Sequence, residues 1–149
     1  MRKCLGMEPN WKPEKGTARR AHRARQRKVN EEERRRKEEA RQRDSYKCRW
    51  PRCSCRKRKP VEACHLVHKG AGGDPQLVRT RVDLLISFCA DRHRGTPSLD
   101  GGDLAVEFLT DENANGPCEF YQAFREVVDG VATTRWELVG RERAIHVLE

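Results

Sequence analysis

The sequence predicts an α+β protein: a long charged helix comes first, a cysteine- and histidine-rich core follows, and a small antiparallel sheet ends the chain. Three observations indicate this class. Residues 18–43 contain no Pro or Gly and are dominated by helix formers. Short apolar runs lie around a glycine-rich loop, and strand-like stretches separated by turn signals follow. We divide the 149 residues into a basic helical arm (1–42), a core (43–97) and a β-rich extension (98–149).

The charge is unevenly distributed along the chain. Residues 1–60 hold 23 of the 32 Lys and Arg but only 8 of the 23 Asp and Glu, a net charge of +15, whereas the remainder carries −6. A basic first part joined to a mildly acidic remainder indicates an anionic polymer as partner, and favours nucleic acid over membrane. The plain alternative is a basic tail that keeps the protein in solution.

The cysteine content indicates metal binding rather than disulfide formation. No apolar run is long enough to span a bilayer, and the N-terminus lacks the apolar segment of a secretory signal, so we expect a soluble protein of the reducing cytoplasm. Seven cysteines in that compartment are metal ligands or free thiols. Four of the seven fall between Cys48 and Cys64.

The predicted helix of residues 18–43 is charged on every side. Its Glu and Arg or Lys residues form pairs four apart, each worth about 0.2–0.5 kcal/mol, but there is almost no apolar stripe. It is either a solvated single helix or a basic arm that lies along phosphates, and the two are compatible. The densest cations of the arm are Arg19, Arg20, Arg23, Arg25, Arg27 and Lys28.

A cysteine knuckle follows the helix. Cys48 and Cys53 are separated by four residues, including a proline, which suits a zinc knuckle. Cys89 is a candidate third ligand and Cys55 a candidate fourth; the alternative is that these thiols pack in a small core. Cations near the knuckle are predicted to contact DNA: Arg49, Arg52, Arg56, Lys57, Arg58, Lys59 and, further on, Lys69.

After residue 97 the sequence becomes β-rich. Strand-like stretches at residues 103–110, 119–124 and 133–139 are separated by the turn cluster 111–117. They predict a small antiparallel sheet that supports the core. Its aromatic residues are expected inside: Phe108, Phe120, Tyr121 and Trp136.

The histidines of residues 61–96 carry the functional prediction. His65 and His68 precede a glycine-rich loop, the apolar run Leu84–Phe88 follows it, and His93 lies 28 positions after His65. This segment resembles the HNH endonuclease family, most closely the small HNH nucleases of bacteriophages. The likeness rests on Cys-Arg-Trp-Pro, His-x-x-His-Lys-Gly and Ser-Leu-x-x-Gly-Asp-Leu, covers roughly residues 43–121, and does not reach the first forty residues.

The resemblance implies a ββα-metal core. A first strand would end on His65 as general base, a second strand would follow, and a short helix from Cys89 would supply His93 as a ligand of a divalent metal (Mg, Mn, Ni or Zn). Many members have Asp or His before the base, whereas this chain has Cys64. Either Cys64 binds the ion and favours softer metals, or His68 takes its place.

Two further positions depart from the family pattern. Arg92 stands where many members carry a fourth zinc-binding cysteine, which leaves Cys55 to complete the set. The family asparagine that braces the loop orienting the base corresponds to Leu84, so neighbouring Asp83 or backbone contacts must serve instead.

The resulting expectation is a metal-dependent endonuclease that hydrolyses DNA phosphodiester bonds. Two alternatives remain open: a non-catalytic zinc-knuckle DNA-binding protein, and a nuclease of the same fold directed at RNA. The phage-type resemblance further implies partners in DNA packaging or recombination.

Overall fold

The computed structural model, which describes residues 15–51, 53–55, 60–67, 73–109 and 114–142, confirms the α+β class. The described chain contains two antiparallel sheets and a long helix. No helix in these ranges combines the length and apolar character needed to cross a bilayer. In chain order the elements are α1 (Lys15–Arg43), β1 (Val61–His65), β2 (Leu85–Cys89), α2 (Ala90–Arg94), β3 (Leu104–Phe108), β4 (Cys118–Val128) and β5 (Val131–Glu142).

Strands β1 and β2 form an antiparallel hairpin that is covered on both faces. Val61 lies opposite Cys89 and His65 opposite Leu85. All five residues of β2 are buried, because side chains alternate between two hydrophobic clusters. Leu85 packs with residues of α1 and β1, whereas Phe88 packs with residues of β4. Helix α2 follows β2 without a loop, so the orientation of the helix is set by the hairpin.

Three aromatic rings join the hairpin to the second sheet. Trp50 makes edge-on contacts with Phe88 and with Phe120, at centroid distances of 5.9 and 5.7 Å. Phe120 is fully buried, as predicted. The prediction for Trp136 is wrong: its side chain is 47% exposed, because the outer part of β4 and β5 extends beyond β3 and no other described residues cover it.

Helix α1 is docked at its C-terminal end, contrary to the expectation that it has little to pack against. Ala40 is fully buried, and Arg43 donates to the carbonyls of Val82 (2.8 Å) and Leu85 (2.7 Å). Asp44 accepts a hydrogen bond from the backbone N–H of Ser87 (2.9 Å). Hydrogen bonds to charged groups are worth about 1.5–3 kcal/mol, so polar contacts replace the missing apolar stripe.

The predicted C-terminal antiparallel sheet is confirmed, with the order β3, β4, β5. Strand β3 pairs only with the first five residues of β4, Cys118 to Gln122. The turn of the β4–β5 hairpin is Asp129–Gly130, with φ angles of 52° and 80°. This Asp-Gly pair has the positive φ values of a type I′ turn, which matches the twist of the strands on either side.

Candidate functional site

The structure brings together the four cysteines predicted to bind zinc. One ligand atom from each of Cys48, Cys53, Cys55 and Cys89 lies within 4.8 Å of the others. Sulfurs around a tetrahedral zinc lie about 3.8 Å apart, since each Zn–S bond is about 2.3 Å. The Cys53 and Cys89 sulfurs are 3.6 Å apart. The cluster therefore fits a metal ion such as zinc, with Cys55 as its fourth thiol.

The thiols of this cluster differ in acidity. Burial raises the pKa of Cys48. Burial would also raise the pKa of Cys53, but hydrogen bonds from the Cys55 backbone and from the neighbouring thiols lower it. The more acidic thiol can lose its proton first and begin metal binding as a thiolate.

Arg92 stands where many HNH nucleases carry a fourth cysteine, and its side chain contacts the aromatic core. The central carbon of its guanidinium lies 5.7 Å from the ring centroid of Trp50, a cation–π distance. Its backbone carbonyl accepts a hydrogen bond from the Leu99 N–H (2.9 Å). Arg92 thus helps to hold the aromatic core and the turn after α2, and the cysteine cluster is complete without it.

The structure corrects the predicted DNA contact of Arg49. Its side chain is buried, donates to Glu142 (2.7 Å) and to the carbonyl of Ala114, and lies 3.6 Å from Asp44. Arg49 therefore forms buried ion pairs that connect the knuckle to β5. Its guanidinium is not available to contact a phosphate. The other predicted DNA-contacting cations lie outside the described residues: Arg52, Arg56, Lys57, Arg58, Lys59 and Lys69.

His65 is held at the end of β1 by a hydrogen-bonded relay. Its Nε2 lies 3.2 Å from the hydroxyl of Thr80, which donates to Asp74 at 2.8 Å. Asp74 also accepts from the N–H groups of Val78 (3.0 Å) and Arg79 (2.8 Å). Burial would raise the pKa of Asp74, but these hydrogen bonds lower it, so it remains an acceptor at neutral pH.

The relay determines which ring nitrogen of His65 carries a proton. The single hydroxyl proton of Thr80 is donated to Asp74, so the Thr80 oxygen accepts from the Nε2–H of His65. In the neutral ring, Nδ1 then carries the lone pair and is the nitrogen able to take up a proton.

Backbone hydrogen bonds brace the loop between β1 and β2 at Leu84. The N–H of Leu66 donates to the carbonyl of Leu84 (3.1 Å). The Asp83 side chain pairs with Arg81, and the Asp83 carbonyl accepts a hydrogen bond from the Ala114 N–H (2.5 Å). Backbone pairing and the Asp74–Thr80 relay brace the loop.

His93 lies on α2 between two carboxylates. Its Nδ1 is 2.6 Å from Glu62 Oε2, and its Nε2 is 3.4 Å from Asp100 Oδ1. Glu62 also accepts from Arg94. The N–H of Asp100 donates to the carbonyl of His93 (3.0 Å), which holds the turn beside the ring.

A cleft of about 280 Å³ lies beside His65 and reaches Asp100. His65 and Leu66 form one side of it, and Asp100 lies on its lining together with β3. The full set of lining residues is His65, Leu66, Leu99, Asp100, Leu104, Ala105 and Val106.

Cys64 lies in the hydrophobic core rather than in this cleft. It is fully buried among Ile86, Phe88 and Phe120, and its thiol donates to the carbonyl of Glu62 (3.4 Å). Burial raises its pKa to about 12. His68, the alternative ligand, lies outside the described residues.

Four residues of these constellations were not predicted from the sequence: Glu62, Asp74, Thr80 and Asp100. Only Asp74 had a local signal, because Asp before Pro favours a turn that its carboxylate can brace. Comparisons of the chain with family models, curated proteins and solved structures find no match.

Proposed function

We propose that this protein is a metal-dependent endonuclease of the HNH type that hydrolyses DNA phosphodiester bonds. One observation carries the proposal: β1, β2 and α2 follow one another as a strand, an antiparallel strand and a helix, with His65 at the end of β1 and His93 on α2. This is the arrangement that the resemblance of residues 61–96 to HNH nucleases implies. The cleft beside His65 supplies a place for the substrate.

In this proposal His65 is the general base. Nδ1 takes the proton of an attacking water, and the imidazolium that forms is oriented through Nε2 by Thr80 and stabilised by Asp74 behind it. Positioned general bases contribute about 10²–10⁴-fold to the rate. The Asp74–Thr80 relay takes over the bracing role of the family asparagine.

His93 is the proposed ligand of the divalent ion. Its Nδ1 faces Glu62, and with the ring proton on that nitrogen Nε2 can bind a metal. A divalent ion bound there supplies charge neutralisation at the phosphate and at the leaving oxygen. Cys64 is buried in the hydrophobic core and does not line the cleft, so we assign it no part in binding this ion.

The cysteine cluster is the proposed structural zinc site. Cys48 and Cys53 flank Trp50 in sequence, and Cys89 ends β2 immediately before α2. A zinc ion bound by these thiols and Cys55 would tie the knuckle to the end of the hairpin that carries His93.

The N-terminal half of α1 is the proposed DNA-binding arm. Residues 15–28 contain seven Lys and Arg and no acid. Its side chains from residue 16 onward are exposed, and none of its described cations forms an ion pair with a described residue. Such a surface binds phosphates without sequence specificity.

Cleavage of supercoiled plasmid tests the proposal. The zinc-loaded protein is stripped of loosely bound ions and then supplied separately with Mg, Mn, Ni or Zn. We expect at least one metal to support nicking or linearisation, and expect His65→Ala to lower the rate about 10²-fold or more without weakening DNA binding. Thr134→Ala, an exposed change on β5, is the matched control and should cut normally.

A non-catalytic zinc-knuckle DNA-binding protein is the second candidate, favoured by the complete cysteine cluster and by Leu84 at the asparagine position. It predicts that wild type and His65→Ala bind plasmid equally and that neither cuts it with any metal. Assays with single-stranded DNA and with RNA, run beside the plasmid assay, distinguish a DNA endonuclease from a nuclease of the same fold that acts on RNA.

A further inference from the structure

We infer that Asp100 is the second protein ligand of the catalytic ion and that Glu62 is the residue that positions His93 to bind it. This inference rests on the proposed endonuclease function and deepens it, because it assigns a ligand set of one imidazole and one carboxylate. It begins from an unusual juxtaposition: the His93 ring has a carboxylate oxygen at each of its two nitrogens.

The two contacts of the ring are unequal. The Nδ1 to Glu62 distance of 2.6 Å is that of a strong, charge-assisted hydrogen bond in which Nδ1–H donates. The other oxygen of Glu62 accepts from Arg94, so this carboxylate is fully engaged and oriented. Metal-binding histidines usually donate their second N–H to such a carboxylate, which sets the tautomer and raises the basicity of the ligating nitrogen.

The second contact places two acceptors against each other. In the neutral ring, Nε2 presents a lone pair to Asp100 Oδ1 at 3.4 Å, and neither atom has a proton to share. Two ligand atoms about 2.0–2.2 Å from one ion lie about 2.8–3.6 Å apart at octahedral or tetrahedral angles. A second ring proton would make this contact attractive, and so would a divalent cation shared by the two atoms, which the distance fits.

The backbone prepares Asp100 for this role. Its N–H donates to the carbonyl of His93, and the Ser98 hydroxyl accepts from the N–H of Gly101 (3.0 Å) to close the turn. A Cβ on Gly101 would lie 2.9 Å from that hydroxyl oxygen and from a carboxylate oxygen of Asp103, so the turn is built around a glycine. Asp100 and His65 both line the same cleft, so the proposed general base and the proposed metal ligand face one cavity.

The experiment is titration of the zinc-loaded full chain with Mn²⁺, followed by the electron paramagnetic resonance of free Mn²⁺ and by calorimetry. We expect one Mn²⁺ site in the wild type and at least tenfold weaker binding in Asp100→Asn, since the amide lacks the charge of the carboxylate. Asp129→Asn is the matched control: it makes the same change at an exposed turn whose φ of 52° suits Asn. It should bind Mn²⁺ like the wild type.

Each outcome separates this inference from the endonuclease proposal. Mn²⁺ binding that Asp100→Asn abolishes supports the ligand set even where no plasmid is cut. Wild-type affinity in Asp100→Asn overturns it even where plasmid is cut. Absence of any Mn²⁺ site, with both ring nitrogens of His93 protonated in ¹⁵N spectra at neutral pH, also overturns it. His93 would then be an imidazolium that forms salt bridges with Glu62 and Asp100.

Discussion

At the scale of single residues, the test of the proposed chemistry is the hydroxyl of Thr80. Thr80 is fully buried and links His65 to Asp74. Thr80→Val keeps the shape and removes the link, so we expect the rate of plasmid cleavage to fall roughly tenfold, because the orienting contact of the base is lost. Stability should fall by about 1–3 kcal/mol, the usual effect of leaving a buried polar contact unsatisfied.

Thr80→Ser is the control for that experiment. Serine retains the hydroxyl, so cleavage should recover while the small cavity left by the missing methyl keeps stability below wild type. If valine and serine variants cleave DNA equally well, the relay does not orient the base. Chemical denaturation measured beside cleavage separates the two effects.

The residues of the candidate site differ in how well the sequence alone predicts them. The cysteines and histidines were identifiable because their chemistry is unusual and their spacing is compact. Glu62 and Asp100 were not, since a carboxylate in a charged sequence carries no signal until folding brings it to an imidazole. Arg49 misled for the same reason: its neighbours in sequence are cationic, but its neighbours in space are Asp44 and Glu142.

At the scale of elements, helix α1 consists of two halves with different roles. Beyond residue 30 most of its charges are paired within the helix, as in Arg36 with Glu32 at 2.8 Å and Lys37 with Glu33 at 2.7 Å. Hydrogen bonds from Arg35 and Arg36 lower the pKa of Glu32 to about 2. The first half has no such partners among the described residues, so its charge is available to an external polyanion.

Replacing four arm residues with Gln (Arg19, Arg20, Arg23 and Arg27) tests this division. Removing four phosphate contacts should lower the slope of log K against log salt concentration by about 3–4 and weaken DNA binding more than tenfold at low salt. The fold and zinc content should not change, because these side chains are exposed. Fluorescence anisotropy over a salt series gives the slope.

Arg35→Gln is the contrasting variant for the arm. Arg35 is already paired with Glu32 (2.7 Å) and Glu39 (3.1 Å), so its removal should change the slope by less than about one. Equal effects per residue in both halves would show that the whole helix contributes through net charge alone.

Sequence patterns predicted the order and kind of the helices and strands closely, but they did not predict that α1 packs against the rest of the protein. The predicted strand Leu84–Phe88 differs by only one residue from the observed Leu85–Cys89. The agreement is close because turn and apolar signals mark strand ends well. The docking of α1 was missed, since it depends on Arg43 and Asp44 meeting backbone groups about forty residues away. Such polar contacts leave no periodicity to detect.

At the scale of the whole molecule, the cysteine cluster and the aromatic core form one unit. Trp50 stands between two of the cluster's cysteines and packs on Phe88 and Phe120, so the knuckle reaches both sheets through this side chain. Arg49, next to it, binds Glu142 on β5. Detaching the knuckle from Cys89 would therefore loosen the hairpin and the second sheet together.

If the cluster binds zinc as proposed, we expect Cys55→Ser to abolish zinc binding and to destabilise the entire fold. Structural zinc contributes directly to folding free energy, and a loss of about 3 kcal/mol lowers the Tm of a domain of about 100 residues by roughly 12 °C or more. Native mass spectrometry gives the zinc content and calorimetry the Tm. Cys118→Ser is the control: that thiol is buried beside Arg49, outside the cluster, so one zinc should be retained. One zinc and an unchanged Tm in Cys55→Ser would mean that three thiols and another group bind the ion.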